Sequence, residues 1–179
     1  MCDVSSIACT WQIEGAYTPN GQELMRRVRR TLAETLGTQL FFSGALLNRL
    51  QVPQIQGEMQ LHPNKSDEFA PHVDKANVAS YDWSALLYLS EHGTDFQGGE
   101  LIFHDDEDDK FIVPSRGLLA FFSSGLENVH RVNTMAWGQR LVLSMWFTCS
   151  ERHSHPELRF LAESRPDEFI AESSPSAEL

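Results

Sequence analysis

The sequence predicts a mainly β protein with flanking helix, folded as a jelly-roll-like antiparallel barrel. The length of 179 residues suits one domain with its own core. From residue 39 onward, short apolar runs alternate with turn signals about every 8–12 residues, a pattern typical of sandwiches and barrels. A long stretch of helical periodicity precedes these runs, and such a helix is expected to pack on one face of a sheet.

The helix is predicted over residues 20–37. Its apolar positions recur at helical spacing and are Leu24, Met25, Val28, Leu32 and Leu36. Gly37 follows as a helix terminator. Four arginines lie among the apolar positions at 26, 27, 29 and 30, and we interpret them as the solvated face of the helix rather than as a recognition patch.

The barrel is predicted over residues 40–150, within one domain of residues 1–157. The predicted strands cover residues 40–42, 45–47, 54–61, 83–90, 99–104, 111–113, 118–122 and 141–147. Gly44 is expected to interrupt the first strand material, and residues 91–99 are expected to form a loop. The acidic run from Asp105 to Asp109 is read as a solvated hairpin tip, because it lacks the glycine and spacing of a calcium loop. Residues 158–179 are expected to form a tail, partly helical and then disordered.

Composition excludes several classes of partner. The formal net charge of −11 repels nucleic acid and acidic membranes. Three cysteines without a Cys-x-x-Cys spacing indicate neither a disulfide framework nor a zinc knuckle.

No membrane span is found, and the N-terminus lacks a basic region followed by an apolar run, so a cytoplasmic or nuclear protein is expected. The sequence does not indicate an oligomeric state.

The strongest chemical signal is the tripeptide His72-Val73-Asp74 together with the distant His130. On a strand, residues two apart point to one face, so His72 and Asp74 can address one metal ion. Pro71 favours extended backbone at this point. Two imidazoles and one carboxylate leave open positions on the metal, the arrangement that non-haem Fe(II) oxygenases use.

Two other motifs compete for this assignment. They are His104-Asp105-Asp106 and His155-Pro156-Glu157. From His72 to His130 there are 58 positions, room for several strands, whereas from His104 only 26 remain and His155 has no later histidine. His153 and His155 are therefore interpreted as a surface pair.

Arg140 adds a second element to the site. It lies ten residues after His130, at the start of the apolar run 141–147. A buried guanidinium in that position can form a two-pronged hydrogen bond with one carboxylate of a dicarboxylic acid.

These motifs resemble the catalytic domain of 2-oxoglutarate and Fe(II)-dependent prolyl hydroxylases, closest to the prolyl 3-hydroxylase (leprecan-like) branch and its prolyl 4-hydroxylase-type neighbours. The matching segments are His72-Val73-Asp74, residues 84–89, Gly98-Gly99-Glu100-Leu101, residues 122–130, Gly138-Gln139-Arg140 and Trp146-Phe147-Thr148. The resemblance implies a double-stranded β-helix, with Fe(II) and 2-oxoglutarate as cofactors, O₂ as cosubstrate and ascorbate as a supporting reductant.

The resemblance also implies roles for individual residues. His72, Asp74 and His130 would hold iron. Arg140 would bind the far carboxylate of 2-oxoglutarate, and Tyr88 would donate a hydrogen bond from its hydroxyl to the same carboxylate. Leu101 and Trp146 would wall the cosubstrate pocket, although both residues equally fit an ordinary barrel core.

Two departures from the family pattern bear on substrate and cosubstrate. His62-Pro63 stands where related enzymes often carry Tyr-Pro. The His62 imidazole can still hydrogen-bond the cosubstrate or a metal-bound water, but it would add a charge if it titrates near neutral pH, so its role stays open. No secretory leader or ER-retention ending is seen, so collagen is not the expected substrate.

The predicted activity is hydroxylation of an unactivated C–H bond in a peptidyl proline, with release of succinate and CO₂. A carboxylate at Asp74 favours hydroxylation over halogenation, because related halogenases leave that position to chloride. Loops at residues 64–68, 75–82 and 91–97 are expected to rim the entrance for a peptide or protein substrate. Two alternatives stay open: an oxygenase of the same fold acting on a free amino acid or small metabolite, and a non-catalytic cupin-like metal-binding protein.

Overall fold

The computed structural model describes residues 9–12, 21–52, 54–55, 58–59 and 70–161. The strands are β1 (Cys9–Gln12), β2 (Phe41–Gln51), β3 (Gln54–Ile55), β4 (Glu58–Met59), β5 (Trp83–Tyr88), β6 (Phe96–Gly98), β7 (Leu101–Phe103), β8 (Lys110–Ile112), β9 (Leu118–Ser123), β10 (His130–Val132) and β11 (Met135–Thr148). The α-helices are α1 (Gly21–Leu36) and α2 (Asp74–Asn77), and 3₁₀ turns cover Leu126–Asn128, Glu151–His153 and Pro156–Leu161. None of the described helices is long and apolar enough to cross a membrane.

The strands form two main antiparallel sheets, which confirms the predicted mainly β architecture. The large sheet has the order β1-β9-β5-β11-β2, with β6 paired to the start of β11. The small sheet has the order β10-β7-β8, and β3 pairs with β4 as a separate hairpin. The long strand β11 therefore contacts three other strands, and its inner face runs along the centre of the large sheet.

Alternation along the strands divides the apolar core into two clusters. On the outer face of the large sheet, Met145 and Phe147 pack with Leu24, Val28 and Leu32 of α1. Burying each of these side chains contributes about 1.5–3 kcal/mol, which explains why an amphipathic helix covers this face. The inner cluster lies between the two sheets and consists of Tyr88, Leu101, Phe103, Ile112, Ala120, Phe122 and Val142.

Strand boundaries differ from the prediction where pairing overrides local sequence. Gly44 does not break its strand, because β2 continues through it and Gly44 pairs with Trp146. Residues 96–98, predicted as loop, form β6 because β11 begins at Met135 and offers them a partner. The run at residues 105–109 is exposed between β7 and β8, as expected for a hairpin tip. At the start of the predicted tail, Leu158 packs against the α1 cluster, while residues 162–179 lie outside the described residues.

Candidate active site

The fold brings His72 and His130 directly opposite each other. Each residue donates its backbone N–H to the carbonyl of the other at 2.9 Å, forming a two-residue antiparallel bridge. In such a hydrogen-bonded pair the side chains lie on the same face. The two imidazole rings are accordingly 4.5 Å apart between centroids.

Asp74 also lies beside these histidines, but its backbone conformation differs from the predicted strand. The backbone is extended at Val73, but Asp74 is the first residue of the short helix α2, so the predicted strand ends before the carboxylate. The turn into this helix places Asp74 Oδ1 3.7 Å from His72 Nε2 and 4.0 Å from His130 Nε2. The three ligand atoms lie within 4.8 Å of one another, close enough to contact one metal ion.

Backbone carbonyls orient both imidazoles. His72 Nδ1 lies 3.0 Å from the Ala70 carbonyl oxygen, and His130 Nδ1 lies 2.9 Å from the Asn128 carbonyl oxygen. A proton on Nδ1 satisfies each contact and leaves the Nε2 lone pair directed at the shared centre. Burial lowers the pKa of His130, which favours the neutral imidazole that metal coordination requires.

A serine pair orients the carboxylate. Ser84 Oγ donates to Asp74 Oδ2 at 2.6 Å, and Ser84 Oγ lies 2.7 Å from Ser124 Oγ. The backbone N–H of Lys75 donates to the Ser124 carbonyl, which ties α2 to the same group. With Oδ2 held in this way, Oδ1 faces the two histidines. Sequence reasoning missed Ser84 and Ser124, although a small polar residue inside the apolar run 83–88 was a usable signal.

We predict that Ser84→Ala lowers the affinity for a divalent metal about tenfold to a hundredfold, the usual effect of removing a hydrogen bond that orients a ligand. Titration calorimetry of the metal measures this loss. Ser144→Ala is the matched control, because Ser144 is a buried serine of the same sheet that accepts its hydrogen bond from Asn48. Equal metal affinities for the two variants would contradict an orienting role for Ser84.

Arg140 and Tyr88 lie at the other end of the inner cluster. Arg140 is only 4% exposed, and its guanidinium carbon is 5.2 Å from the centroid of the Tyr88 ring. Tyr88 Oη and Arg140 Nε are buried without a hydrogen-bond partner among the described residues. Burial raises the pKa of Tyr88 and lowers that of Arg140, although Arg140 stays charged at physiological pH.

The orphaned Nε of the buried Arg140 guanidinium, beside the orphaned Tyr88 hydroxyl, indicates a missing anion. Unpaired buried charges and hydroxyls are costly, so natural proteins satisfy them with a partner or a ligand. The charge of the nearby Glu100 raises the pKa of Arg140 and so offsets part of its burial, but the hydrogen bonds of the two carboxylate oxygens go to His92 at 3.2 Å and Asn133 at 2.8 Å. The donors at Arg140 and Tyr88 therefore fit the far carboxylate of a dicarboxylic acid.

Apolar side chains connect the two ends of the site. His130 packs against Phe122 at 4.8 Å and Phe103 at 5.7 Å between ring centroids, and both phenylalanines belong to the cluster that contains Tyr88. Along β5, Ser84 and Tyr88 are four residues apart, which corresponds to about 13 Å of strand. The ligand atoms and the guanidinium lie at the ends of side chains, so the gap that a ligand must bridge differs from this backbone distance.

The remaining predicted site residues fall in three places. Leu101 is buried in the inner cluster beside Tyr88. Trp146 is half-buried, pairs with Ser84 across the strands and stacks on Tyr81. Contact of either residue with a cosubstrate stays a prediction, and His62 lies outside the described residues.

The competing histidine motifs do not form comparable sites. His104 Nδ1 lies 3.0 Å from Asp109 Oδ1 on the exposed hairpin, whereas Asp105 forms an ion pair with Lys110. His153 and His155 are both exposed, His153 at the end of one 3₁₀ turn and His155 just before the next. Among the described residues, the set of His72, Asp74 and His130 is the one group of three that is arranged to hold a metal ion.

Known proteins are similar to this chain in sequence and in fold. The family model described as the 2OG-Fe(II) oxygenase superfamily matches residues 58–148. The mouse (Mus musculus) 2-oxoglutarate and iron-dependent oxygenase domain-containing protein 3 is 32% identical over 145 residues, covering 79% of this chain and 46% of that protein. Human (Homo sapiens) prolyl 3-hydroxylase 1 is 32% identical over 154 residues, covering 75% of this chain and 20% of that protein.

A solved structure shows the same fold. A prolyl hydroxylase from Trichoplax adhaerens, in complex with a peptide fragment of the hypoxia inducible factor oxygen degradation domain, superposes with a TM-score of 0.51 at 16% identity. The match covers 87% of this chain and 66% of that one. The chain spans less than half the length of the two curated relatives described above. With the ligand set, the buried cation and the family match together, this chain belongs to the 2OG-Fe(II) oxygenase superfamily, whose members use Fe(II), 2-oxoglutarate and O₂.

Proposed function

We propose that this chain hydroxylates a peptidyl proline. The observation that carries the proposal is the pairing of two features across one apolar cluster: three side chains that can hold a metal ion at one end, and at the other a buried guanidinium whose Nε has no hydrogen-bond partner among the described residues. When bound, Fe(II) and 2-oxoglutarate supply the oxidation, in which one oxygen atom of O₂ enters succinate as CO₂ leaves and the other becomes the product hydroxyl.

The protein's own residues divide the remaining work. His72, Asp74 and His130 hold the metal, and Ser84 fixes the carboxylate that faces it. Arg140 and Tyr88 bind the distal carboxylate of 2-oxoglutarate, and Leu101 closes the pocket beside them.

The substrate approaches from the side of His72. The His72 side chain is 40% exposed, whereas those of Asp74 and His130 are 10% and 6% exposed. Solvent and substrate therefore reach the metal past His72, while Phe103 and Phe122 seal the side of His130. The two phenylalanines keep that water out of the inner cluster, which strengthens the electrostatic contacts around Arg140.

An aromatic pair beside the metal suits a proline ring. Tyr81 and Trp146 stack with centroids 5.2 Å apart and an interplanar angle of 8°, and both are half-buried. Trp146 is the cross-strand neighbour of Ser84, which bonds Asp74. Flat aromatic faces bind a compact apolar ring with little loss of side-chain entropy. We therefore propose that Trp146 serves the substrate as well as the cosubstrate pocket.

The relatives support the same substrate class. The name of the human relative is prolyl 3-hydroxylase 1, and the Trichoplax enzyme is a prolyl hydroxylase bound to a peptide. The alternative of a non-catalytic cupin-like protein leaves the buried Arg140 unexplained. The alternative of a small-metabolite oxygenase is separated by experiment.

The direct test is to incubate the protein with Fe(II), ascorbate, labelled 2-oxoglutarate and a library of proline-containing peptides. We expect succinate release that depends on particular peptides, with mass spectrometry placing one added oxygen on proline. Stimulation by free amino acids or metabolites but by no peptide would favour the small-metabolite alternative.

A variant at Tyr81 tests the aromatic pair. Tyr81→Leu removes the stacked ring, and we expect the KM for the peptide to rise about tenfold, the value of an aromatic contact. Tyr81→Phe keeps the ring and is the matched control, for which the KM stays near that of the wild type. An unchanged KM for Tyr81→Leu would exclude this surface as the proline site.

A further inference from the structure

The glycine before β7 lies against the side chain of Arg140. Gly99 is buried and has a φ of +70°, a left-handed conformation. A Cβ atom at this position would lie 2.9 Å from Arg140 Cδ, and 3.3 Å from both Met135 Cγ and Phe96 Cε2. A carbon–carbon distance below the normal van der Waals contact of about 3.5 Å is repulsive, so one of these neighbours would have to move.

Among the three neighbours, the Arg140 side chain meets the closest contact. Phe96 is fully buried on β6, whose pairing with β11 fixes its backbone. Met135 is buried where β11 begins. The methylene chain of Arg140 is held at its Cα by β11, while its guanidinium extends toward the Tyr88 ring. A methyl group at residue 99 would therefore change how far that guanidinium reaches into the inner cluster.

We propose that Gly99 is a positioning residue that sets the reach of Arg140, and through it the length of the keto diacid that the site accepts. This inference rests on the role proposed for Arg140. Three side chains fix the metal ion, and the ion fixes one end of the diacid. The position of the guanidinium therefore defines the distance that the diacid must span. Gly99 thus acts through Arg140 without touching the ligand.

Binding measurements on the full chain loaded with Mn(II) test the proposal without turnover. Calorimetry compares the four-carbon oxaloacetate, the five-carbon 2-oxoglutarate and the six-carbon 2-oxoadipate. For Gly99→Ala we expect affinity for 2-oxoglutarate to fall on the order of tenfold to a hundredfold, since misplacing a binding group by about 1 Å has effects of that size. The relative affinities of the shorter and longer diacids also change, while Mn(II) affinity is retained.

Gly93→Ala is the matched control. Gly93 has a similar φ of +81°, but a Cβ there would have nothing within 4 Å. It carries the same left-handed strain without the clash. We expect Gly93→Ala to keep the order of affinities for the three diacids and to change each affinity by less than about twofold, the size of effect usual between distant, independent sites.

Stability supplies a second measurement that does not depend on ligand binding. If the added methyl group strikes Arg140, then truncating that side chain relieves the clash. Urea unfolding should show a smaller loss for Gly99→Ala in an Arg140→Ala background than in the wild type. The double variant should fold even where the single Gly99→Ala variant does not.

The outcomes separate this inference from the proposed function. Unchanged 2-oxoglutarate affinity in Arg140→Ala would overturn the role of Arg140 itself, and the inference with it. Weakened binding in Arg140→Ala, together with Gly99→Ala behaving like Gly93→Ala, would overturn the role of Gly99 alone. Equal destabilisation by Gly99→Ala in both backgrounds would do the same.

Discussion

Asp74→Ala should abolish metal-dependent turnover of 2-oxoglutarate. The variant removes one of three side chains that converge within 4.8 Å, and the one that carries the negative charge. Because removing a mere orienting hydrogen bond costs about tenfold to a hundredfold in metal affinity, losing the ligand itself should cost more than about a hundredfold. Metal titration and succinate release measure both effects, and His72→Ala should behave in the same way.

The metal-free fold should survive this change. Asp74 is the first residue of a four-residue helix and contributes no apolar surface to either core cluster. Ser84 keeps Ser124 as a partner after the carboxylate is removed. We therefore expect the melting temperature of the metal-free protein to stay within a few degrees of the wild type, which corresponds to less than about 1 kcal/mol.

Asp109→Ala is the matched control for Asp74→Ala. It also removes an aspartate that contacts a histidine, since Asp109 lies 3.0 Å from His104 on the exposed hairpin. Metal affinity and turnover should be unaffected. Tight metal binding by the Asp74→Ala protein, or a metal located at His153 and His155, would show that the site has been assigned to the wrong residues.

That His72, Asp74 and His130 lie together could be predicted from the sequence, because the prediction depends on how many strands fit between them. The separation of His72 from His130 allows several strands to intervene, and that spacing distinguished it from the motif at His104. The structure places the two histidines in one backbone bridge. What spacing could not give is the turn at Asp74, because a short helix that starts at a tertiary contact with Ser124 leaves no local propensity signal.

Interactions between distant segments account for most of what the sequence did not reveal. Ser84 acquires its role from a carboxylate ten residues away and a serine forty residues away. The strand β6 exists because β11 starts earlier than its apolar run suggested. The contact of Gly99 with Arg140 depends on both strands being in register. Each of these features is a contact between segments that lie far apart in the chain, and the register that creates it cannot be read from one sequence.

The second large effect is expected at Arg140. Arg140→Ala leaves the distal carboxylate of 2-oxoglutarate without its cation, and losing one partner of a buried charged pair costs about 2–5 kcal/mol of binding free energy. Arg140→Lys keeps a positive charge but replaces a planar, two-pronged donor with a point charge, so its affinity should lie between those of alanine and arginine. Calorimetry of 2-oxoglutarate with the Mn(II)-loaded protein measures all three.

The same position should show an opposite effect on stability. In the ligand-free protein the Arg140 guanidinium is buried beside Tyr88, with its Nε unpaired among the described residues, so the folded state bears a desolvation cost that Tyr88 and Glu100 offset only in part. Replacing a buried charge by an apolar side chain of similar length is often neutral or stabilising by about 1–4 kcal/mol. We therefore expect Arg140→Met to raise the free energy of unfolding, or leave it unchanged, while it removes 2-oxoglutarate binding.

Arg131→Lys serves as the control for these substitutions, because Arg131 is a half-buried arginine on β10 that pairs with Ile102 across the small sheet. It should leave 2-oxoglutarate affinity unchanged. Equal affinities for Arg140→Lys and the wild type would argue against a two-pronged contact. A large loss of stability in Arg140→Met would mean that Arg140 is a structural cation whose partner lies within the protein, because a residue kept for its ligand destabilises the empty site and a residue kept for the fold does not.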